Sequence, residues 1–454
     1  WQETAQANQA CLPCHAAKAH EGSGHTHHRE GSATCVDCHM PKTEFARMVR
    51  SDHSMRPPAP AASLAFGSPN ACNLCHANQN ASWSDRAVRK WHARDYQARV
   101  LRQGRLVAAA RRGDWRELPA MLGALAGVER DEVMTVGLLR LLRSCPSDDK
   151  WPAVLAAVAD PSPWVRAAAA AALGEHLAPD VVAALLEVTR DPVRLPRIRA
   201  ANALASLPRS AVPEGARTAL AAATRELEAS LSARPDDFAS HYDLGRLLAG
   251  RGETARAIAA YETALRQRPD LVAAMVNLSL LYNAVSRNAD AERVLRRALE
   301  LEPGNAAAHL NLGMLQGELG RFAEAETALR AACREDPSSA VAAYNLAVVL
   351  ARDRVAEAVT WSRRASALAP ASPKYAYTWA FYLARTGDRP AAITVLRRAI
   401  EGQAAGEETY ALLGQLLREA GRNAEADTLL LRAANDARLP ASARATFAGR
   451  RPLP

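Results

Sequence analysis

Aromatic residues make up only 5% of the 454 positions, and no long stretch alternates β-branched with polar residues. Alanine and leucine dominate instead, so packed helices are expected and an extensive sheet is not. No apolar run approaches the roughly 18 residues that a membrane-spanning helix needs. The chain starts at Trp1 without a charged-then-apolar leader, so neither a membrane anchor nor a signal peptide is expected within it. There is no Gly-rich phosphate loop, and no Ser, His and Asp set offers a catalytic triad. The net charge of +9 would suit an acidic partner, but Lys and Arg are interspersed with Glu and Asp along helical segments. A solvated helical surface is therefore expected, and nucleic acid is not an expected partner. The length exceeds one ordinary core, so several domains or a repeat array are anticipated.

Cysteine and histidine are scarce and unevenly placed. Six of the eight cysteines form three pairs, Cys11 with Cys14, Cys35 with Cys38 and Cys72 with Cys75. Each pair is followed at once by a histidine: His15, His39 and His76. The first two pairs alone have the spacing of a zinc ribbon, which would hold one ion through four thiolates. That scheme leaves the third pair and all three histidines unexplained; with 12 histidines in 454 residues, three such placements by chance have a probability of roughly 10⁻⁵. A redox Cys-x-x-Cys would be single and would sit at a strand-to-helix junction. Covalent haem accounts for every residue of the motif: two thiols add to the two porphyrin vinyl groups, and the next residue supplies an imidazole to the iron. Three haem c groups are thus expected, held by the six paired cysteines, with His15, His39 and His76 as proximal ligands. Their six propionates would offset part of the positive charge and call for arginine partners.

The first hundred residues also hold His20, His25, His27, His28, His53 and His92, whereas only three histidines lie beyond. Three six-coordinate irons need three further axial groups, and these histidines can supply them. The segment from His20 to His28 is glycine-rich and polar, a loop able to pass from one haem to the next. Met40, Met48 and Met55 are alternative ligands that would raise a potential. Solvent exposure, or a hydrogen bond to a propionate, is the competing role for His20, His27 and His92.

The stretch from Cys11 to Trp91 contains "CLPCH", "HTHH", "GS", "CVDCHMP", "DHSM", "SPNACNLCH" and "WSDRAVRKW". It resembles the C-terminal haem segment of multihaem c-type cytochrome and tetratricopeptide-repeat fusion proteins. The resemblance places His25, His28 and His53 on family histidines and implies that they are the distal ligands, with His20, His27 and Met55 as second-rank candidates. Thr26 departs from the family pattern, and His27 replaces an aromatic residue. Longer relatives carry more haem motifs and a larger upstream domain, so an activity residing there is not implied for this chain.

Beyond Trp91 the pattern is helical throughout. "DPSPWVRAAAAAALGEHL" and, 31 residues later, "DPVRLPRIRAANALASL" share an Asp-Pro turn, an arginine and an alanine-rich helix, as HEAT-type hairpins do. From Pro235 a 34-residue period carries small residues where the two helices of a hairpin should touch, and proline at each unit's end. Gly245, Ala257, Tyr261 and Ala264 mark the first unit, and Gly313, Ala325, Leu329 and Ala332 the third. Six such units are expected, the fourth one residue short between its helices. The isolated Cys145 and Cys333 are expected as small buried residues.

The expected architecture is all-α: a loop-rich triple-haem domain over 1–95, HEAT-like repeats over 96–234, six tetratricopeptide (TPR) repeats over 235–440 and a tail over 441–454. The expected function is an exported electron carrier, periplasmic or on the cell surface, whose solenoid docks a redox partner or a larger complex. An enzyme is the alternative: one iron without a sixth protein ligand would reduce a small oxyanion such as nitrite. A third reading is a structural subunit whose repeats assemble haems into a larger complex or filament.

Overall fold

Small residues with good helix propensity, interrupted by Asp, Ser, Asn or Pro at segment starts, make helix the recurring local solution along this chain. A computed structural model describes residues 7–29, 31–45, 48–127 and 130–449, with 27 α-helices among them. The chain divides into two units, Trp1–Leu227 and Glu228–Pro454. Among the described residues no helix is long and apolar enough to cross a membrane.

The first unit begins with a 3-10 turn, Ala7–Ala10, and five short helices: α1 (Ala16–Glu21), α2 (Ser23–Thr26), α3 (Cys35–His39), α4 (Pro60–Phe66) and α5 (Ala71–Cys75). Between α3 and α4 lies one element that the all-α expectation did not contain. Strands β1 (Lys42–Phe45) and β2 (Met48–Ser51) pair antiparallel, Lys42 opposite Ser51. Helix α6 (Ala81–Trp91) and α7 (Gln97–Arg111) then pack on α4. The buried Gln97 ties them together, its Oε1 accepting from Ala61 N (2.9 Å) and its Nε2 donating to Asp85 (2.9 Å).

Helices α8 (Leu118–Ala126), α9 (Glu132–Leu142), α10 (Trp151–Ala156), α11 (Pro163–Leu173), α12 (Pro179–Val188), α13 (Arg194–Ala203) and α14 (Glu214–Ser232) complete this unit; the division between units falls within α14. Proline stands in the first turn of α11 and α12, where its missing N–H costs nothing. Alanines let the helices approach, and Ala169, Ala170, Leu173 and Leu185 are fully buried. Arginine–carboxylate pairs step along the unit: Arg130 with Asp160, Arg166 with Asp191 (2.6 Å) and Arg197 with Glu226 (2.8 Å). Burial disfavours the charged form of Asp191, but hydrogen bonds from Arg166 and the Val193 N–H outweigh it and hold its pKa below the ordinary value. A carboxylate with a depressed folded pKa stabilises above its ordinary range and loses that contribution as pH falls through it. Asp191→Asn should therefore flatten the decline in urea midpoint between pH 6 and pH 3.5; an unchanged acid limb would show that the pair does not carry it.

In the second unit six helical hairpins follow. Their first helices are α15 (Phe238–Gly250), α17 (Val272–Ala284), α19 (Ala306–Glu318), α21 (Ala340–Leu350), α23 (Pro373–Arg385) and α25 (Glu407–Glu419). Their second helices are α16 (Thr254–Gln267), α18 (Asn288–Leu301), α20 (Phe322–Glu335), α22 (Val355–Leu368), α24 (Arg389–Glu401) and α26 (Asn423–Asn435). The alanines of the sequence period, among them Ala257, Ala325, Ala358, Ala392 and Ala426, are completely buried. The turn inside five hairpins uses one left-handed residue, Gly252, Ser286, Gly320, Gly387 or Gly421. The fourth hairpin lacks that residue and closes with Arg354 N–H donating to Leu350 O (2.8 Å). Residues 441–448, assigned to a tail on sequence grounds, form α27 (Ala441–Ala448), which buries Ala443 and Phe447 against the last repeat; 450–454 lie outside the described residues. Cys145 and Cys333 are buried and unpaired.

Candidate haem-binding site

Each Cys-x-x-Cys-His segment closes one helical turn, which brings its first and fourth residues onto one face. His15 N–H donates to Cys11 O (3.0 Å) and His76 N–H to Cys72 O (2.9 Å), while the middle segment is α3 itself. The starts of the second and third turns are capped. Thr34 donates through both N–H and Oγ1 to Asp37 Oδ2, each at 2.7 Å. Asn70 Oδ1 accepts from Cys72 N–H (3.2 Å), and its amide donates to Ser84 Oγ (3.2 Å) and to Asn73. Asn73 in turn donates to the carbonyls of His76 (3.3 Å) and Gln79 (2.8 Å), fixing the exit of the third motif.

The three turns adjoin in a row. Helix α3 packs against both the Ala7–Ala10 turn and α5. Asn8 Oδ1 accepts from Cys35 N–H (2.7 Å), and the Cys35 and Cys11 side chains are hydrogen-bond neighbours. On its other side, Cys38 lies near Cys72 and Cys75. Burial above all, then the neighbouring Cys72 thiol and the Asp37 carboxylate, push the Cys38 thiol up to about 11. The middle motif is thus the spatial middle.

Two of the spare histidines face proximal ones. The rings of His25 and His39 have centres 6.3 Å apart and planes 9° from parallel. Those of His28 and His76 are 5.9 Å apart at 35°. Both separations are wider than the 4.2 Å between the stacked rings of His27 and Trp91. They match the span of two imidazoles on opposite sides of one metal ion, about 6 Å for metal–nitrogen bonds of about 2 Å. His28 Nδ1 lies 2.6 Å from Thr26 O, the kind of partner that orients a ligating imidazole. Trp83 packs beside His76, its ring centre 4.9 Å away.

The other candidates stand elsewhere. His27 stacks on Trp91 (4.2 Å, 14°) and meets His92 edge-on (6.5 Å), while His92 in turn meets Tyr96. His53 Nδ1 is 2.8 Å from Ser51 O at the end of the hairpin. Among the described residues, His15, His20 and His53 face no other ring, and Met55 is exposed with a left-handed backbone. Met40 is buried beside Val36, and Met48 is exposed on β2. No three His, Cys, Asp or Glu side chains among the described residues converge as a metal cage. The sequence reading did not single out Asn8, Asn70, Asn73 or Trp83. The asparagines carry a signal, each lying within four residues of a paired cysteine at a position where Asn caps turns.

Helical turns presenting paired thiols and facing imidazoles, followed by two kinds of helical repeat, define a cytochrome c joined to an α-solenoid. The family models say the same: Cytochrome c552 matches residues 20–115, HEAT repeats match 119–205 and 151–233, and Tetratricopeptide repeat matches 213–272, 276–340 and 310–373. These matches describe a cytochrome c552-like segment followed by HEAT and TPR repeats, and the cytochrome segment implies covalently bound haem c. The first Cys-x-x-Cys-His motif lies outside the matched residues. No curated protein matches the chain. Among solved structures, MamA is 22% identical over 35% of this chain and 93% of its own, with a TM-score of 0.33. YrrB, described as a TPR protein with an unusual peptide-binding site, is 20% identical over 38% of this chain and 90% of its own (TM-score 0.32). PilF of Pseudomonas aeruginosa is 20% identical over 47% of this chain and 97% of its own (TM-score 0.39).

Proposed function

We propose that this protein is an exported carrier of three haem c groups that passes electrons between partners docked through its helical repeats. Haem c, when bound, supplies one-electron exchange at its iron. The residues that would hold the groups are Cys11 and Cys14 with His15, Cys35 and Cys38 with His39, and Cys72 and Cys75 with His76. On this reading His25 would serve with His39 in holding the middle group, and His28 with His76 in holding the third. His53 is assigned to the first iron by family resemblance, ahead of His20, His27 and Met55. The observation that carries this reading is the two pairs of facing imidazoles, His25 with His39 and His28 with His76. The adjoining turns keep the groups close, as a relay needs, and the repeats supply surface for a redox partner or larger complex. Export to the periplasm or cell surface is inferred because covalent haem is attached outside the cytoplasm.

A second reading has its own support. His15 has no histidine ring against it among the described residues, so if one iron lacks a sixth protein ligand and takes a small oxyanion such as nitrite, it would be the one His15 holds. Low-temperature EPR of the oxidised protein separates the two. Electron transfer predicts three low-spin ferric signals unmoved by nitrite or cyanide. A high-spin signal that shifts with either ligand, and is lost in a chain lacking Cys11 and Cys14, makes the first haem a reaction site. High-spin signals from the second or third haem would refute the assigned pairs.

A further inference from the structure

We infer that His27 is a positioning residue: its ring, stacked on Trp91, clasps the segment that carries His25 and His28 and so sets both imidazoles against their partners at once; this rests on the reading of His25 and His28 as distal ligands. The two imidazoles are three residues apart, a spacing that puts side chains on one face of a continuing helix. Here they serve different motifs, His25 facing His39 and His28 facing His76. His27 makes that separation possible. It ends α2 in the left-handed region (φ 54°, ψ 26°), its N–H donating to Ser23 O (2.8 Å), so the chain turns before His28. A non-glycine residue holds that conformation at an energetic cost, which its contacts must offset.

The contact is with the end of α6. The His27 ring centre lies 4.2 Å from that of Trp91 with planes 14° from parallel, and His92 meets His27 edge-on (6.5 Å). That end of α6 is itself fixed. Arg89 bridges Asp85 (2.9 Å) and Asp95 (3.0 Å), His92 meets Tyr96 edge-on (5.2 Å), and the Tyr96 hydroxyl donates to Pro58 O (2.6 Å). The distal segment has little else to hold it. Helix α2 buries none of its residues, and the hydrogen bonds that residues 22–29 make among the described residues stay within 18–32. The rings of His25 and His28 stand 6.3 Å and 5.9 Å from their partners, so the stack on Trp91 is the closest ring contact between this segment and the rest of the described chain. Because it lies between the two distal imidazoles, its loss loosens both.

EPR with cyanide titration of the oxidised, haem-loaded full-length protein tests this, repeated with Cys11→Ser and Cys14→Ser to remove the signal of the first haem. In His27→Ala, and equally in Trp91→Ala, the cyanide concentration that converts half of the second and third low-spin signals should fall about two- to tenfold, the weight of one aromatic contact. His27→Gly accepts the left-handed turn but cannot stack, and should behave as His27→Ala does. His27→Phe stacks but offers no ligating nitrogen, and should leave both signals as they are. Unchanged titrations in His27→Ala would overturn the clasp, and a change at one haem alone would overturn the joint positioning. A loss in His27→Phe equal to that in His27→Ala would mean that the imidazole nitrogen is used and the stack is not. High-spin second and third signals in the unsubstituted protein would instead refute the distal assignment itself, whatever the variants do.

Discussion

A chain in which Cys35 and Cys38 are both serine should carry two covalent haems in place of three, seen as one haem mass lost from the intact protein and a one-third fall in haem absorbance. The remaining two should equilibrate electrons far more slowly than the three do, in flash-reduction kinetics. The reason is position: α3 packs on the Ala7–Ala10 turn on one side and on α5 on the other, so its motif stands between the other two. The companion change at Cys11 and Cys14 also removes one haem but leaves His25 facing His39 and His28 facing His76, so exchange between the second and third should persist. Equal slowing by both changes would refute the middle placement. An unchanged haem count in either would refute the attachment sites.

Gly313→Ala and Gly414→Ala occupy the same position of the repeat, yet they should change stability in opposite directions. A Cβ at Gly313 would fall 2.6 Å from Leu329 Cγ, closer than packed atoms approach, so α19 and α20 must separate. Overpacking of this kind costs about 1–3 kcal/mol. A Cβ at Gly414 would meet Leu430 Cδ2 at 3.6 Å, an ordinary contact, within helix α25. Removing a mid-helix glycine there should stabilise by about 0.5–1 kcal/mol. Gly245→Ala should behave like the change at Gly313, because its Cβ would sit 2.8 Å from the Tyr261 ring. Urea denaturation followed at 222 nm reads all three. Equal shifts at Gly313 and Gly414 would mean that the hairpins relax freely and that the close approach does not set their stability.

The same comparison shows what was legible. A 34-residue period with small residues at fixed places reports that helices touch there, because only Gly, Ala or Ser leaves room for a second backbone. How closely they touch is a property of the two helices together, so Gly313 and Gly414 read alike in the sequence. The hairpin β1–β2 was not legible, because eight residues with little alternation carry no strand period distinct from a loop. Helix α27 was not legible either: its two core residues, Ala443 and Phe447, bury only because the last repeat offers them a surface.

At the haem segment the division runs along the chain's local geometry. Five consecutive residues set which thiols and which imidazole come together, because a single helical turn places them side by side. The sequence by itself therefore determined the three motifs, their order and the repeat classes that follow. Tertiary structure decided which distant imidazoles meet, that His25 faces His39 and His28 faces His76, and that the middle motif stands between its neighbours. Those pairings join residues far apart in sequence, and only the packing of α3 between its neighbours, or of one repeat on the next, sets such distances.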